Sequence, residues 1–284
     1  MGLTDKFIIP PISILDVKQG YWKQRRKQWL ELGIQSEIGR GENLLSLSPL
    51  LKTKHNGTSI FDPVLCEIMY KWFSKVGDLV MDRFCGGSVR GIVAGKSDRR
   101  YIGIDIREEQ IKENKKQSKT FGLNSKYYNT LNIPNTKYDF FFTCPPYFNL
   151  EKYSDEVDDL SNMSEEQWWV EYSDILTKSI TNLKDNRFAV IVIGDVRRDD
   201  GSYMGLPQRT IQIMESNGLK YYNDLILLQE PATAAMRANA YMDCSRKIAK
   251  CHQNVLVFVK GDEIKATERL GDIEIKHKVN DFFE

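Results

Sequence analysis

Phe188 to Ile193 reads Phe-Ala-Val-Ile-Val-Ile, six apolar residues with no polar break. A strand with one wet face alternates, whereas a strand covered on both faces does not. This run therefore belongs in the middle of a parallel sheet sandwiched by helices. The chain supplies six companions: Asp78–Asp82, Arg100–Ile106, Lys126–Tyr128, Tyr138–Phe142, Asp224–Leu228 and Asn254–Val259. Helix-period segments separate most of them. Strand alternating with helix predicts an α/β protein, a Rossmann-like doubly wound sheet of seven mostly parallel strands.

The helices have readable starts. Asp62-Pro63 opens one, with proline at a first-turn position and Val64, Leu65, Ile68, Met69 and Trp72 as its apolar face. Val89–Gly95 reads as a short helix and Glu108–Phe121 as a charged one ending near Gly122. Ser164-Glu165-Glu166-Gln167 is a capping box for a helix through Leu183. Pro207 to about Ser216 is another. Residues 1–57 form an extension to a main domain, 58–262, and 263–284 a charged tail. Within the extension, Gly20–Leu32 predicts a helix. Trp22, Trp29 and Leu30 give its apolar side, and Lys23, Arg25, Arg26 and Lys27 its basic side. That basic side is either a phosphate-contacting face or a solvated surface of a helix packed by its tryptophans.

Two turns carry the chemistry. Thr143-Cys144-Pro145-Pro146-Tyr147 follows the aromatic strand Tyr138–Phe142. Two prolines cannot continue a central strand, so it stops in a stiff corner with an aromatic ring at the tip. The Pro145 carbonyl can still accept a hydrogen bond, which suits a planar molecule carrying an NH2 group. Asp82-Arg83-Phe84-Cys85-Gly86-Gly87-Ser88 ends the first main strand, and its glycines let a ligand approach the backbone. Asp105 ends the next strand, about twenty residues on, where a carboxylate accepts from ribose hydroxyls. A phosphate-binding lysine motif and dinucleotide glycine spacing are both missing. Asp82 suits a positively charged ligand. S-adenosylmethionine, with its sulfonium, ammonium and ribose, answers all three observations.

Composition excludes several classes. The chain has 284 residues, 41% hydrophobic and 28% charged, within the range of a water-soluble globular protein. No apolar run reaches the roughly 20 residues that span a bilayer, and the first residues lack a secretory pattern. Five scattered cysteines point to reduced thiols and a cytoplasmic location. Cys244, Cys251 and His252 do not have metal-ligand spacing, so no metal is expected. A net charge of +1 requires any nucleic-acid footprint to be local.

The chain resembles the S-adenosylmethionine-dependent DNA amino-methyltransferases, and among them the stand-alone versions of phages and prophages, over roughly residues 58–262. The family's Asp-Pro-Phe-x-Gly-x-Gly turn corresponds to Asp82–Ser88, with Arg83 and Ser88 as departures and the glycine pair shifted. Its Asp/Asn/Ser-Pro-Pro-aromatic motif corresponds to Cys144-Pro145-Pro146-Tyr147. Phe61-Asp62-Pro63 is similar to the element that closes over the cofactor's methionine part. Arg246-Lys247 through Gly261 is similar to the closing hairpin. The resemblance implies a class I methyltransferase fold and a cofactor site of Phe61, Asp82, Phe84, Gly86, Gly87, Ser88, Asp105, Ile106 and Thr143. S-adenosylhomocysteine would be the product.

The resemblance further implies catalysis by Cys144, Pro145, Pro146 and Tyr147 on an exocyclic amine, cytosine N4 or adenine N6, of a base flipped from double-stranded DNA. The Pro145 carbonyl and the side chain at 144 would accept from the amine, and Tyr147 would stack on the ring. Sulfur is a weak acceptor. Cys144 is therefore a tolerated substitute, a structural thiol, or a nucleophile of the kind carbon-5 cytosine methyltransferases use. Thr143 leans the reading towards cytosine. Candidate DNA contacts are Arg197, Arg198, Arg237, Arg246 and Lys247. The acidic run within Phe148–Asp159 reads as a solvated face or lid. A homodimer is compatible with the sequence. RNA or protein-glutamine methylation, and a non-catalytic binding module, are the rival functions.

Overall fold

The computed structural model describes residues 3, 7–35, 60–130, 135–148, 163–230 and 233–274. The loop after Phe148, with Tyr153 and its acidic neighbours, lies outside the described residues. The expected strands are all present: β2 (Leu79–Asp82), β3 (Arg100–Ile104), β4 (Lys126–Tyr128), β5 (Phe140–Thr143), β6 (Arg187–Ile193), β7 (Leu219–Leu228) and β8 (His252–Lys260). An eighth, β1 (Ile14–Asp16), adds to the seven expected. It comes from the N-terminal extension and pairs parallel with the outer edge of β7, Ile14 opposite Ile226. The order across the sheet is β1-β7-β8-β6-β5-β2-β3-β4, and β8 is antiparallel to both neighbours. After β4 the chain returns to place β5 beside β2. The carboxyl ends of β2 and β5 therefore flank the point where strand order reverses, the usual place for a ligand crevice.

Side chains alternate across the sheet and feed two cores. Val80, Phe140, Phe142, Val190 and Val192 face one. Their neighbours Met81, Phe141, Ala189, Ile191 and Ile193 face the other. The first core is closed by α1 (Gly20–Glu31), α2 (Pro63–Phe73) and α3 (Val89–Lys96). The second is closed by α5 (Glu165–Thr181) and α6 (Leu206–Ser216). Between them in sequence, α4 (Glu108–Thr120) ends just before Gly122, whose φ of +66° suits glycine. The cap of α2 forms as expected: Asp62 accepts from the Val64 and Leu65 amides, with Pro63 in the first turn. The Ser164–Gln167 capping box of α5 forms too.

The extension is bound into this domain. Trp22 and Trp29 of α1 are fully buried, and Trp22 Nε1 donates to Asp62. Arg25 does not belong to the basic face that sequence suggested. It lies between the tryptophans on the buried side, where Nε and Nη2 donate to Glu67 at 2.8 and 2.7 Å. The residues after 262 also begin as structure: α8 (Glu263–Leu270) buries Ala266, and Arg269 pairs with Asp78 and Asp139. Thr233–Ser245, which carries Arg237, forms α7.

Candidate active site

A cavity of about 1110 Å³ opens at the carboxyl ends of β2, β3 and β5. Its walls include Phe84, Gly86 and Gly87 from the glycine bend, Asp105 and Ile106 after β3, and Phe61 before α2. Cys144, Pro145, Pro146 and Tyr147 line the same space.

The bend is held from three sides. The Cys85 amide donates to the Ile104 carbonyl at 2.9 Å, and Asn114 Nδ2 donates to the Gly86 carbonyl at 2.7 Å. The Gly86 amide donates to Asp105 Oδ2 at 2.9 Å, and Gly86 has φ +48°. Asp105 Oδ1 accepts from the Arg107 amide at 3.0 Å and from its Nε at 3.3 Å. Gly103 lets this turn pack: a Cβ there would lie 2.9 Å from Cys85 Cβ and 2.8 Å from the Tyr101 ring. Burial, then the neighbouring Asp105 and Asp82 carboxylates, push the Cys85 thiol well up, so it stays protonated and inert.

Asp82 is not on the cavity wall. Its carboxylate is fully buried beneath the bend and accepts from Arg90 Nε at 2.5 Å, Tyr101 Oη at 2.6 Å and Thr143 Oγ1 at 2.7 Å. The charge that sequence assigned to a cationic ligand is answered by Arg90 from within the protein. Burial pulls the Arg90 guanidinium down, but Asp82 beside it outweighs this and holds it well above its ordinary range. Tyr101 is pushed well up by burial and then by Asp82, so its hydroxyl keeps the proton it donates. Thr143 and Ser88 are buried as well, Thr143 accepting from the Phe84 amide at 3.1 Å and Ser88 donating to Gln117. Asp62, next to Phe61, is an acidic side chain that does line the cavity.

Phe61 stands edge-on to Phe142, with Arg90 4.4 Å beneath its ring centre. Tyr147 is pinned by its hydroxyl, which accepts from the Gly194 amide at 3.0 Å and from Gln253 Nε2. Its ring is thereby fixed between the ends of β6 and β8. Sequence reasoning missed Arg90 and Gln253, which also line the cavity. Arg90 stands in no recognisable motif, and Gln253 lies within the hairpin-like stretch without being singled out there.

Four of the five expected DNA contacts lie elsewhere. Arg198 is engaged with Glu165 through Nε at 2.7 Å and Nη2 at 2.6 Å. Arg197 donates to the Gly201 carbonyl and stacks on Tyr203 at 4.0 Å. Lys247 lies against Gly201, and Arg246 is exposed. Arg237 is on α7, its side chain outside the described residues. Arg197, Arg198, Arg246 and Lys247 do not line the cavity. Among the described residues, no three His, Cys, Asp or Glu side chains gather as a metal site, and no helix is long and apolar enough to cross a membrane.

The donor set fits a nucleoside-bearing cofactor. Backbone at Gly86 and Gly87 allows close approach, Asp105 offers carboxylate acceptors for a ribose diol, and Phe84, Ile104 and Ile106 supply apolar surface for a base.

A family model described as DNA methylase matches residues 45–116, which span the glycine bend and Asp105. No curated protein matches the chain. A putative RNA methyltransferase from Pyrococcus horikoshii superposes with TM-score 0.51 at 12% identity, over 84% of this chain and 100% of that one. A Pyrococcus furiosus methyltransferase gives 0.49 at 14%, over 74% and 88%. Magnesium protoporphyrin IX methyltransferase from Synechocystis, solved with bound S-adenosylmethionine, gives 0.43 at 14%, over 66% and 71%. At such identities the likeness is one of architecture. The mostly parallel sheet, its single reversed strand and the flanking helices are those of the class I methyltransferase fold.

Proposed function

We propose that this protein is an S-adenosylmethionine-dependent DNA amino-methyltransferase acting on the exocyclic amine of a flipped base. One observation carries the reading: the glycine bend with Asp105 and the Cys144–Tyr147 corner open into a single cavity at the switch point of the sheet. The partial DNA-methylase match adds support on the cofactor side. S-adenosylmethionine would be held by Asp105, the Gly86–Gly87 backbone, Phe84 and Phe61, and when bound it supplies an electrophilic methyl group.

The chain's own contribution is acceptors, stacking and exclusion of water. The amine's lone pair is delocalised into the base, so it attacks poorly until acceptors favour a tetrahedral nitrogen. The carbonyl of Pro145 is that acceptor, because proline fixes its φ and the following proline stiffens the peptide. Cys144 adds little polarisation, since sulfur accepts weakly. Tyr147 offers a ring held in place by Gly194 and Gln253. Rigid placement of this kind accounts for most of what a methyl-transfer site must do.

Tritium transfer from labelled S-adenosylmethionine to duplex DNA, RNA and lysate protein, with mass spectrometry of the digested nucleosides, tests the reading. Label in N4-methylcytosine or N6-methyladenine is expected. Label confined to RNA or protein refutes it. Cys144→Ser should retain or raise transfer. Abolition in a folded variant would instead assign Cys144 a covalent role.

A further inference from the structure

Helix α1 carries a second stripe beside its tryptophans. Trp22, Arg25 and Trp29 take one face into the core. Lys23, Arg26, Lys27 and Leu30, at i, i+3, i+4 and i+7, share the adjoining face. That second face forms a wall of the same cavity that Cys144–Tyr147 line. The three cations are well exposed, at 56, 46 and 77%. Their acidic neighbours are close but replaceable: Lys23 lies 3.1 Å from Glu230, Arg26 4.0 Å from Asp62 and Lys27 3.8 Å from Glu31. Exposed pairs of this kind are weak and exchange readily for other anions.

Resting on the reading above, we propose that the Lys23–Arg26–Lys27 face of α1 grips the phosphates flanking the target base and so holds the duplex over the cavity. A base delivered to the Pro-Pro corner drags its own backbone to the cavity mouth, and a polyanion there needs cations within a few ångströms. Arg197, Arg198, Arg246 and Lys247 do not line this cavity, whereas Lys23, Arg26 and Lys27 of α1 do. The helix is also rigidly placed, by two buried indoles and the Arg25–Glu67 pair. Cations on a fixed helix position a strand, where cations on a loop merely attract it. The extension thereby becomes a structural part of the substrate site.

The test is duplex binding by the full chain across a salt series, with S-adenosylmethionine affinity measured alongside. The variant K23Q/R26Q/K27Q should bind duplex about tenfold or more weakly, with the slope of log K against log salt reduced by about two to three, near 0.9 per phosphate contact. Its cofactor affinity and melting temperature should match the unmodified protein. A control, K112Q/K115Q/K116Q on the exposed side of α4, should leave binding and slope unchanged. Equal loss in both variants, or no loss in the first, overturns the proposal while leaving the proposed activity standing. An unmodified protein that neither binds nor methylates duplex DNA defeats the functional reading, and this proposal with it.

Discussion

Glu67 holds the N-terminal extension to the domain, and Glu67→Gln should break that hold. One buried carboxylate accepts from Arg25 Nε and Nη2, from Trp29 Nε1 at 2.7 Å and from Lys71 Nζ at 2.8 Å. Glutamine keeps the volume but removes the charge and turns one acceptor into a donor facing donors. The Arg25 guanidinium, 5% exposed, then keeps its bond to Gln28 but loses its buried counter-charge. Removing one member of a buried pair costs about 3–5 kcal/mol. Lys71, partly exposed, adds little. For a domain of this size each kcal/mol moves Tm by roughly 2–4 °C, so a drop of at least about 6 °C is expected. Replacing both partners, Arg25→Met with Glu67→Leu, should cost less than Glu67→Gln alone. The remaining cost would then be the stranded Trp29 indole, about 1–3 kcal/mol. The same pair has a pH signature. Burial raises the Glu67 carboxyl, but hydrogen bonds from Arg25 and then Lys71 outweigh it and leave it below the usual range. Its stabilisation is full above the unfolded value, about 4.3, and is lost as pH falls through the lower native one. Urea unfolding followed by tryptophan fluorescence, with limited proteolysis of α1, measures all of this. A loss under about 1 kcal/mol for Glu67→Gln, or a double variant as damaged as the single, would refute the reasoning.

Other outcomes follow from the site. Asp105→Ala should weaken S-adenosylmethionine binding by about 10- to 100-fold, the worth of a charged hydrogen-bonding group, and calorimetry showing an unchanged Kd would exclude Asp105 from the ribose. Tyr147→Phe keeps the ring but strands the Gly194 amide, so stability should fall by about 1–3 kcal/mol in urea while methyl transfer is reduced and not abolished. Gly103→Ala forces a methyl against Cys85 and Tyr101 and should cost about 1–3 kcal/mol by thermal melting; a neutral result would show that the glycine bend can yield.

The central strands β2, β5, β6 and β8 were legible because each carries an apolar run that is buried, and helix caps such as Ser164 announce themselves locally. What escaped was decided by distant partners. β1 is three residues long with Ile14 half exposed, and only the free edge of β7 makes it a strand. The partner of Arg198 was equally invisible, since Glu165 lies far back in sequence. Arg25 could have been assigned correctly. Trp22, Arg25 and Trp29 recur at i, i+3 and i+7, which is the spacing of one helix face. The charged stretch after 262 hid α8, since Asp78 and Asp139 await Arg269 from the other end of the chain.

Asp82 gives the most informative disagreement, since the acid sits at the right place in sequence and does something other than face a ligand. Its two oxygens join β2 to Thr143 on one side and to Arg90 and Tyr101 on the other. Thr143 in turn accepts the Phe84 amide, and Arg90 donates to the Phe84 carbonyl at 2.6 Å. Both backbone groups of the cofactor-side residue Phe84 are thus tied, through one buried charge, to the residue that precedes the Pro-Pro corner. A satisfied buried network of this kind fixes geometry more than it adds stability. The two halves of the cavity are then held in register by the strand ends themselves. Arg90 carries that constraint on to Phe61 through its ring contact.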